Sequence, residues 1–205
     1  SRESEMADEA PEPQAEPQAP RLPAVLGTEE DLKLLLPLLT RLVNGLDDEK
    51  EREAMDRVSI WILRLSKHVP GDPSSPTPRI RLSRFLLDEV ASRRLSEAEL
   101  AFVIAHEFGH RLRRLGQVES DRYAVQLIQR AGYAGQAAVT FLEKRDDLMR
   151  KAEAAGVSAL ADTTAQPGVD AKAERTVTTQ ERINAVKEFL RKTSQPPAAP
   201  APDQA

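Results

Sequence analysis

The sequence predicts a mainly α-helical protein with a small β-sheet, that is, an α+β fold. Several stretches carry apolar residues at helical spacing, whereas only two short segments show the β-branched bias or the alternation of strands. The chain has 205 residues, of which 40% are hydrophobic. This length and composition are typical of one globular domain with its own core.

The two ends of the chain differ from its middle. Residues 1–23 contain five prolines and six acidic residues with hardly any large apolar side chain, so they bury too little surface to offset the entropy of ordering. Residues 193–205 are rich in proline and alanine, which favours an extended, solvated chain. We therefore expect disordered tails at 1–23 and 193–205 and a folded domain at 24–192.

The first elements of the domain are read from spacing and composition. Leucines at helical spacing predict a helix over 29–44, with Gly45 behind it, and residues 49–57 are also predicted to be helical. The β-branched and aromatic residues of 58–65 predict a strand, with a continuation of the preceding helix as the alternative. Residues 70–78 contain four prolines and a glycine, which predicts a loop.

The middle of the domain contains the longest predicted helix. Alternation at 79–83 predicts a short edge strand, and 84–90 a helical turn. Ser96 and Glu99 match a capping box, which predicts the start of a helix over 97–115.

The rest of the domain is predicted to be helical apart from one connector. Helices are predicted over 117–131, 135–153 and 179–192. The stretch 154–175 is rich in Ala, Gly, Asp and Thr and is predicted to be a flexible connector.

Charge and composition exclude several classes of function. A net charge of −4 argues against a general nucleic-acid binder, which needs a basic surface to neutralise phosphates. The local run Arg111, Arg113 and Arg114 either lines a cleft for acidic substrates or forms a solvated helix end. Cysteine is absent, so thiolate metal sites are excluded. No apolar stretch reaches the length of a membrane span, and we expect none.

Residues 106–110 read His-Glu-Phe-Gly-His, an H-E-x-x-H motif inside the predicted helix 97–115. Residues four apart share one face of a helix, so His106 and His110 are placed to bind one Zn²⁺ ion, with Glu107 directed toward a bound water as general base. The residues before the motif are almost all apolar, which places the histidines on a buried or cleft-facing surface. The alternative is a pair of helix histidines hydrogen-bonded to carboxylates.

Three segments together resemble a known family. Residues 80–87, 95–110 and 119–133 are similar to the zinc metallopeptidases of the HtpX and CAAX prenyl protease family, and in particular to its soluble periplasmic bacterial members. The resemblance implies a zincin-like core in which the two motif histidines bind zinc and the motif glutamate is the general base. It also implies a third ligand, a glutamate on the next helix, and an aspartate four residues later that orients a ligand histidine. That aspartate matches Asp121.

The chain departs from the family pattern at the third ligand. Gln117 stands where relatives have the glutamate, and Glu119, the nearest carboxylate, falls on the polar face of the predicted helix. Gln117 would reach the metal through its amide oxygen if the motif helix ended soon after His110. A tight hairpin would instead bring Asp121 to the metal directly. The sequence leaves Gln117 and Asp121 both open as metal ligands.

A second departure lies before the last helix. Relatives carry a histidine there, which is missing at 175–177, whereas Arg182 matches a family arginine. The leading hypothesis is a zinc metalloendopeptidase acting on protein or peptide substrates. The competing one is a catalytically weakened or inactive homologue that binds or scaffolds a protein partner. The first residue is Ser1 rather than Met, which together with the resemblance leads us to expect a removed signal peptide and a periplasmic location, with the cytoplasm as the alternative.

Overall fold

The computed structural model describes residues 18–63, 79–163 and 177–194. Within these ranges the chain is mostly helical with one small sheet, which confirms the predicted mainly α, α+β class. A single 3₁₀ turn, Met55–Arg57, extends the second helix. The helices and strands in chain order are β1 (Ala24–Leu26), α1 (Glu29–Gly45), α2 (Glu49–Ala54), β2 (Ser59–Leu63), β3 (Arg79–Ser83), α3 (Arg84–Ala91), α4 (Glu97–Arg113), α5 (Gln117–Arg130), α6 (Gln136–Ala154), β4 (Ala161–Thr163) and α7 (Thr179–Ser194).

The sheet of the described residues has the strand order β1-β2-β3-β4. The first three strands are parallel, and β4 is antiparallel to β3. The prediction of an edge strand at 79–83 is wrong, because β3 pairs with β2 on one side and with β4 on the other. The prediction of a flexible connector over 154–175 is wrong at 161–163, since three residues form a strand that is too short to show a pattern.

The strand predicted at 58–65 is present as β2, so the alternative of a continued helix is excluded over 59–63. The loop predicted at 70–78 lies outside the described residues. Near the predicted start of the domain, Leu22 packs against the core and Pro23 is buried, so packing begins just before residue 24.

The core lies between the long helices. Leu35, Leu38, Leu39 and Leu42 of α1 are fully buried, and the helix packs against α4 and α5, whereas Leu36 is exposed. Phe102 and Phe108 of α4 are buried as well, so this helix runs through the centre of the domain. Within the residues that the structure describes, no helix is both long and apolar enough to cross a membrane.

The start of α4 is fixed by the predicted capping box. Ser96 Oγ accepts a hydrogen bond from the Glu99 amide at 3.1 Å, and Glu99 Oε1 accepts one from the Ser96 amide at 3.0 Å. These bonds satisfy two amide groups at the helix start that would otherwise lack partners. They set the register of α4 and thereby the positions of its two histidines.

The end of α4 differs from the prediction. The helix ends at Arg113 rather than at residue 115, because Arg114 adopts the left-handed conformation with φ of 53°. The Leu115 amide donates back to the Gly109 carbonyl at 3.3 Å, which closes the last turn. The chain therefore reverses within three residues of His110 and enters α5 directly.

Gly109 lets α5 approach α4 closely. A Cβ atom added at Gly109 would lie 3.1 Å from both Cα and Oγ of Ser120, tighter than an ordinary van der Waals contact. A larger residue at this position would push α5 away from the motif helix. The glycine inside the motif thus brings the polar residues of α5 beside the two histidines.

Candidate metal centre

The two motif histidines face each other across adjacent turns of α4. Their Nε2 atoms are 2.9 Å apart, and their rings are nearly perpendicular, with an interplanar angle of 84°. His106 is buried and His110 is half-buried. The structure therefore brings the two ring nitrogens to one point, which is the convergence that their spacing predicts.

His106 is oriented by a buried carboxylate. Its Nδ1 lies 2.7 Å from Asp121 Oδ1, and Asp121 is fully buried. Arg182 of α7 donates to both carboxylate oxygens, from Nε to Oδ2 and from Nη2 to Oδ1, each at 2.8 Å. Burial alone would raise the pKa of Asp121, but the hydrogen bonds from Arg182 and His106 outweigh it and hold the pKa below its usual value of 3.8. Asp121 is thus ionised at neutral pH and accepts a hydrogen bond from Nδ1 of His106.

His110 is oriented by the main chain. Its Nδ1 lies 2.6 Å from the carbonyl oxygen of Leu115, which accepts hydrogen bonds and cannot donate them. Ser120 Oγ supports this contact, at 3.3 Å from Nδ1 of His110 and 3.4 Å from the Leu115 oxygen. The hydrogen of the His110 ring is therefore on Nδ1.

These two hydrogen bonds determine whether each Nε2 atom carries a hydrogen or a lone pair. Since both Nδ1 atoms donate, each neutral ring has an unprotonated Nε2 with a lone pair. Two lone pairs at 2.9 Å repel each other, and only a cation between them, a proton or a metal ion, makes the arrangement favourable. Tetrahedral zinc with Zn–N bonds of 2.0–2.1 Å places such nitrogens about 3.3 Å apart, so the gap would widen by roughly 0.4 Å. The two imidazoles fit a shared metal ion.

Gln117 is the first residue of α5 and lies one turn before Asp121 on the same helix face. Its Oε1 is buried and has no hydrogen-bond partner. An unsatisfied buried acceptor costs about 1–3 kcal/mol, and a cation bound within reach would satisfy it. The Gln117 side chain thus has a buried oxygen without a hydrogen-bond partner, at the position where the resemblance implies the third ligand.

Asp121 occupies a different place from the two Nε2 atoms. The Nδ1 and Nε2 atoms point to opposite sides of an imidazole ring, so a carboxylate bonded to Nδ1 of His106 lies away from Nε2. Both of its oxygens are already engaged by His106 and Arg182. This position argues against a direct contact between Asp121 and a metal ion. Asp121 instead lies behind His106, at the Nδ1 side of its ring.

Glu107 follows His106 on α4 and is buried. Burial places its carboxylate in surroundings of low dielectric constant. No group of three or more His, Cys, Asp and Glu side chains in the described ranges is arranged to hold a metal ion. The candidate set agrees with that finding, because its third member, Gln117, is an amide.

Two partners of the histidines were not identified from the sequence as parts of the site. The Leu115 carbonyl is a backbone group, so its role does not depend on the residue type at position 115. Nothing in the sequence distinguishes Ser120 from a serine on the protein surface. The role of Arg182 was also not apparent, although the residue matches a family arginine, because it reaches Asp121 from 61 positions away. The missing histidine at 175–177 cannot be compared, since residues 175 and 176 lie outside the described part of the chain.

Comparisons with family models, with curated proteins and with solved structures gave no match to this chain. The resemblance to the HtpX family therefore stays a prediction from the motifs.

Proposed function

We propose that the protein is a zinc-dependent metalloendopeptidase with a zincin-like core, which hydrolyses peptide bonds of protein substrates. The observation that supports this most is the pair of Nε2 lone pairs 2.9 Å apart, each ring held by a hydrogen bond at its other nitrogen. Histidine ligands in zinc enzymes are commonly fixed in this way by a carboxylate or a carbonyl group.

His106 and His110 would hold the metal through Nε2, and Gln117 would hold it through its amide oxygen. Bound zinc would polarise the scissile carbonyl and lower the pKa of the attacking water. Asp121 and Arg182 keep the Nε2 of His106 in its unprotonated, metal-binding form, and the Leu115 carbonyl does the same for His110.

Glu107 is assigned the proton transfer. Its carboxylate takes the proton from the attacking water and then delivers that proton to the departing amine nitrogen. The residue ends the cycle in its starting form, so no other proton carrier is needed. Its burial limits the contact of this carboxylate with bulk water.

The direct test is metal content measured together with proteolysis. We expect the purified full chain to bind one zinc per molecule by mass spectrometry of the metal, and to cleave unfolded casein in a reaction that a chelator stops and zinc restores. Folded protein that takes up no zinc and leaves casein intact would contradict the proposal.

The Gln117→Glu substitution tests the third ligand. A carboxylate is a stronger zinc ligand than a neutral amide, so we expect the Kd for zinc to fall by about tenfold, which corresponds to about 1.4 kcal/mol. Competition with a chromogenic chelator measures this Kd. The matched control is Gln126→Glu, the same chemical change on the exposed face of α5. Equal affinity in wild type and Gln117→Glu would remove Gln117 from the ligand set.

A second candidate function is a protein-binding or scaffold module with little or no catalysis. Gln117 favours it, because an amide in place of a carboxylate weakens zinc binding. Zinc-free protein that folds normally would support this candidate. For the peptidase, the resemblance suggests a periplasmic location, which remains part of the proposal.

A further inference from the structure

Arg111 stands out among the charged residues near the histidines. It is half-buried, and its Nε is buried without a hydrogen-bond partner. The neighbouring Arg113 differs, because its Nε donates to Glu51 Oε1 at 2.5 Å. Within the described part of the chain, Arg113 therefore pairs with an acidic residue, whereas the buried Nε of Arg111 has no partner.

Among the residues that the structure describes, Arg111 forms no ion pair with an acidic side chain, unlike Arg113. Arg114, three residues further along the chain, adds positive charge rather than a counter-ion. A buried N–H group without an acceptor is costly, and folded proteins rarely leave one unsatisfied. The observations point to an anion that is supplied from outside the chain.

Helix geometry places this charge beside Glu107. Arg111 lies four residues after Glu107 and three after Phe108, on the same side of α4. Side chains on a helix lean toward its N-terminus and cover the preceding turn. The Arg111 side chain therefore extends over the turn that carries Glu107, and an anion bound to it would lie next to that residue.

We propose that Arg111 binds a carboxylate of the peptide substrate, and that the preferred substrates are peptides with a carboxylate close to the scissile bond. A guanidinium binds a carboxylate through two parallel charge-assisted hydrogen bonds, which fixes the orientation of the peptide as well as its affinity. The reference to a scissile bond rests on the proposed peptidase function. The binding of the carboxylate does not depend on it.

The test measures binding rather than cleavage. The full chain carrying Glu107→Gln is titrated by fluorescence anisotropy with three labelled peptides of one sequence. The first has an internal glutamate and an amidated end, the second has glutamine and an amidated end, and the third has glutamine and a free C-terminal carboxylate. We expect the first or the third to bind about 10- to 100-fold more tightly than the second, as a charge-assisted pair implies. The tighter of the two identifies the source of the carboxylate.

Two variants test whether Arg111 is the residue that causes this preference. Arg111→Gln is expected to reduce the ratio of the Kd values to about one, while Arg114→Gln removes a positive charge from the next turn and should leave the ratio unchanged. The Tm should stay the same or rise in Arg111→Gln, because the buried Nε has no hydrogen-bond partner among the described residues. A Tm that falls by several degrees would indicate a structural role and overturn the proposal.

Equal binding of all three peptides, or a preference that survives Arg111→Gln, would also overturn it. These outcomes are separate from those of the peptidase test. Carboxylate-selective binding without zinc uptake or casein cleavage would keep the Arg111 site and reject the enzyme. Casein cleavage without any carboxylate preference would keep the enzyme and reject the Arg111 site.

Discussion

Replacing Glu107 by glutamine is expected to lower kcat for peptide hydrolysis by about 10²–10⁴-fold while leaving zinc bound. Glutamine has nearly the same shape as glutamate, but its amide accepts no proton from water at neutral pH. The fold should persist, because glutamine fills the same volume and leaves no cavity. Steady-state kinetics on a fluorogenic peptide and metal analysis of the same sample give the two measurements.

A matched control for this change is Glu119→Gln on α5. Glu119 is exposed and paired with Arg122, so the same loss of charge there should leave kcat and zinc content unchanged. If Glu107→Gln retained full activity, the proton transfer would belong to another group and the mechanism would fail. If both variants lost activity, a general effect of charge would explain the result.

Replacing Arg182 by methionine is expected to lower the free energy of unfolding by about 3–5 kcal/mol. Methionine fills a similar volume, but Asp121 would remain ionised and fully buried, with His106 as its one remaining side-chain partner among the described residues. We also expect weaker zinc binding, because an unpaired Asp121 no longer holds His106 in one orientation. Urea denaturation and zinc competition measure the two effects separately.

This loss of stability should depend on pH. In the wild type the lowered pKa of Asp121 contributes stability that is present above its usual value of 3.8 and is lost as the pH falls through the lower folded value. In Arg182→Met, burial dominates and raises this pKa, so the carboxyl group takes up a proton at higher pH in the folded state. The difference in stability between the two proteins should therefore be largest near pH 7 and shrink toward pH 4.

The control for Arg182→Met is Arg191→Met on the same helix. Arg191 also donates two hydrogen bonds to one carboxylate, that of Glu188, but this pair is exposed to water. Its loss should change the unfolding midpoint little at any pH. Equal effects of the two substitutions on the unfolding midpoint would show that the buried pair of Arg182 and Asp121 contributes no more stability than the exposed pair.

Much of the fold could be predicted because its main signals are local. The capping box at Ser96, the leucine spacing of α1 and the glycine after α5 each act within a few residues, and the helices they predict are present. The three-residue strands β1 and β4 gave no such signal. Their order depends on pairing with distant strands, which also explains why β3 was mistaken for an edge strand.

The candidate site was predictable only as far as the motif helix. The spacing of His106 and His110 predicts their convergence, but the choice between Gln117 and Asp121 depended on where α4 ends. That point is set by Arg114, a residue type that rarely takes a positive φ, so no sequence pattern marked it. Once the helix ends at Arg113, Asp121 falls behind His106 and Gln117 remains as the oxygen without a partner.

The contact between His110 and the Leu115 carbonyl has one more consequence. Every amino acid supplies the same backbone oxygen, so exchanging the side chain at position 115 cannot delete this acceptor. Random mutagenesis should therefore find substitutions that misorient His106, because its acceptor is the side chain of Asp121. Substitutions at position 115 should leave the orientation of His110 unchanged. Only changes that reroute the peptide between the two helices, such as an insertion after Arg113, would release it.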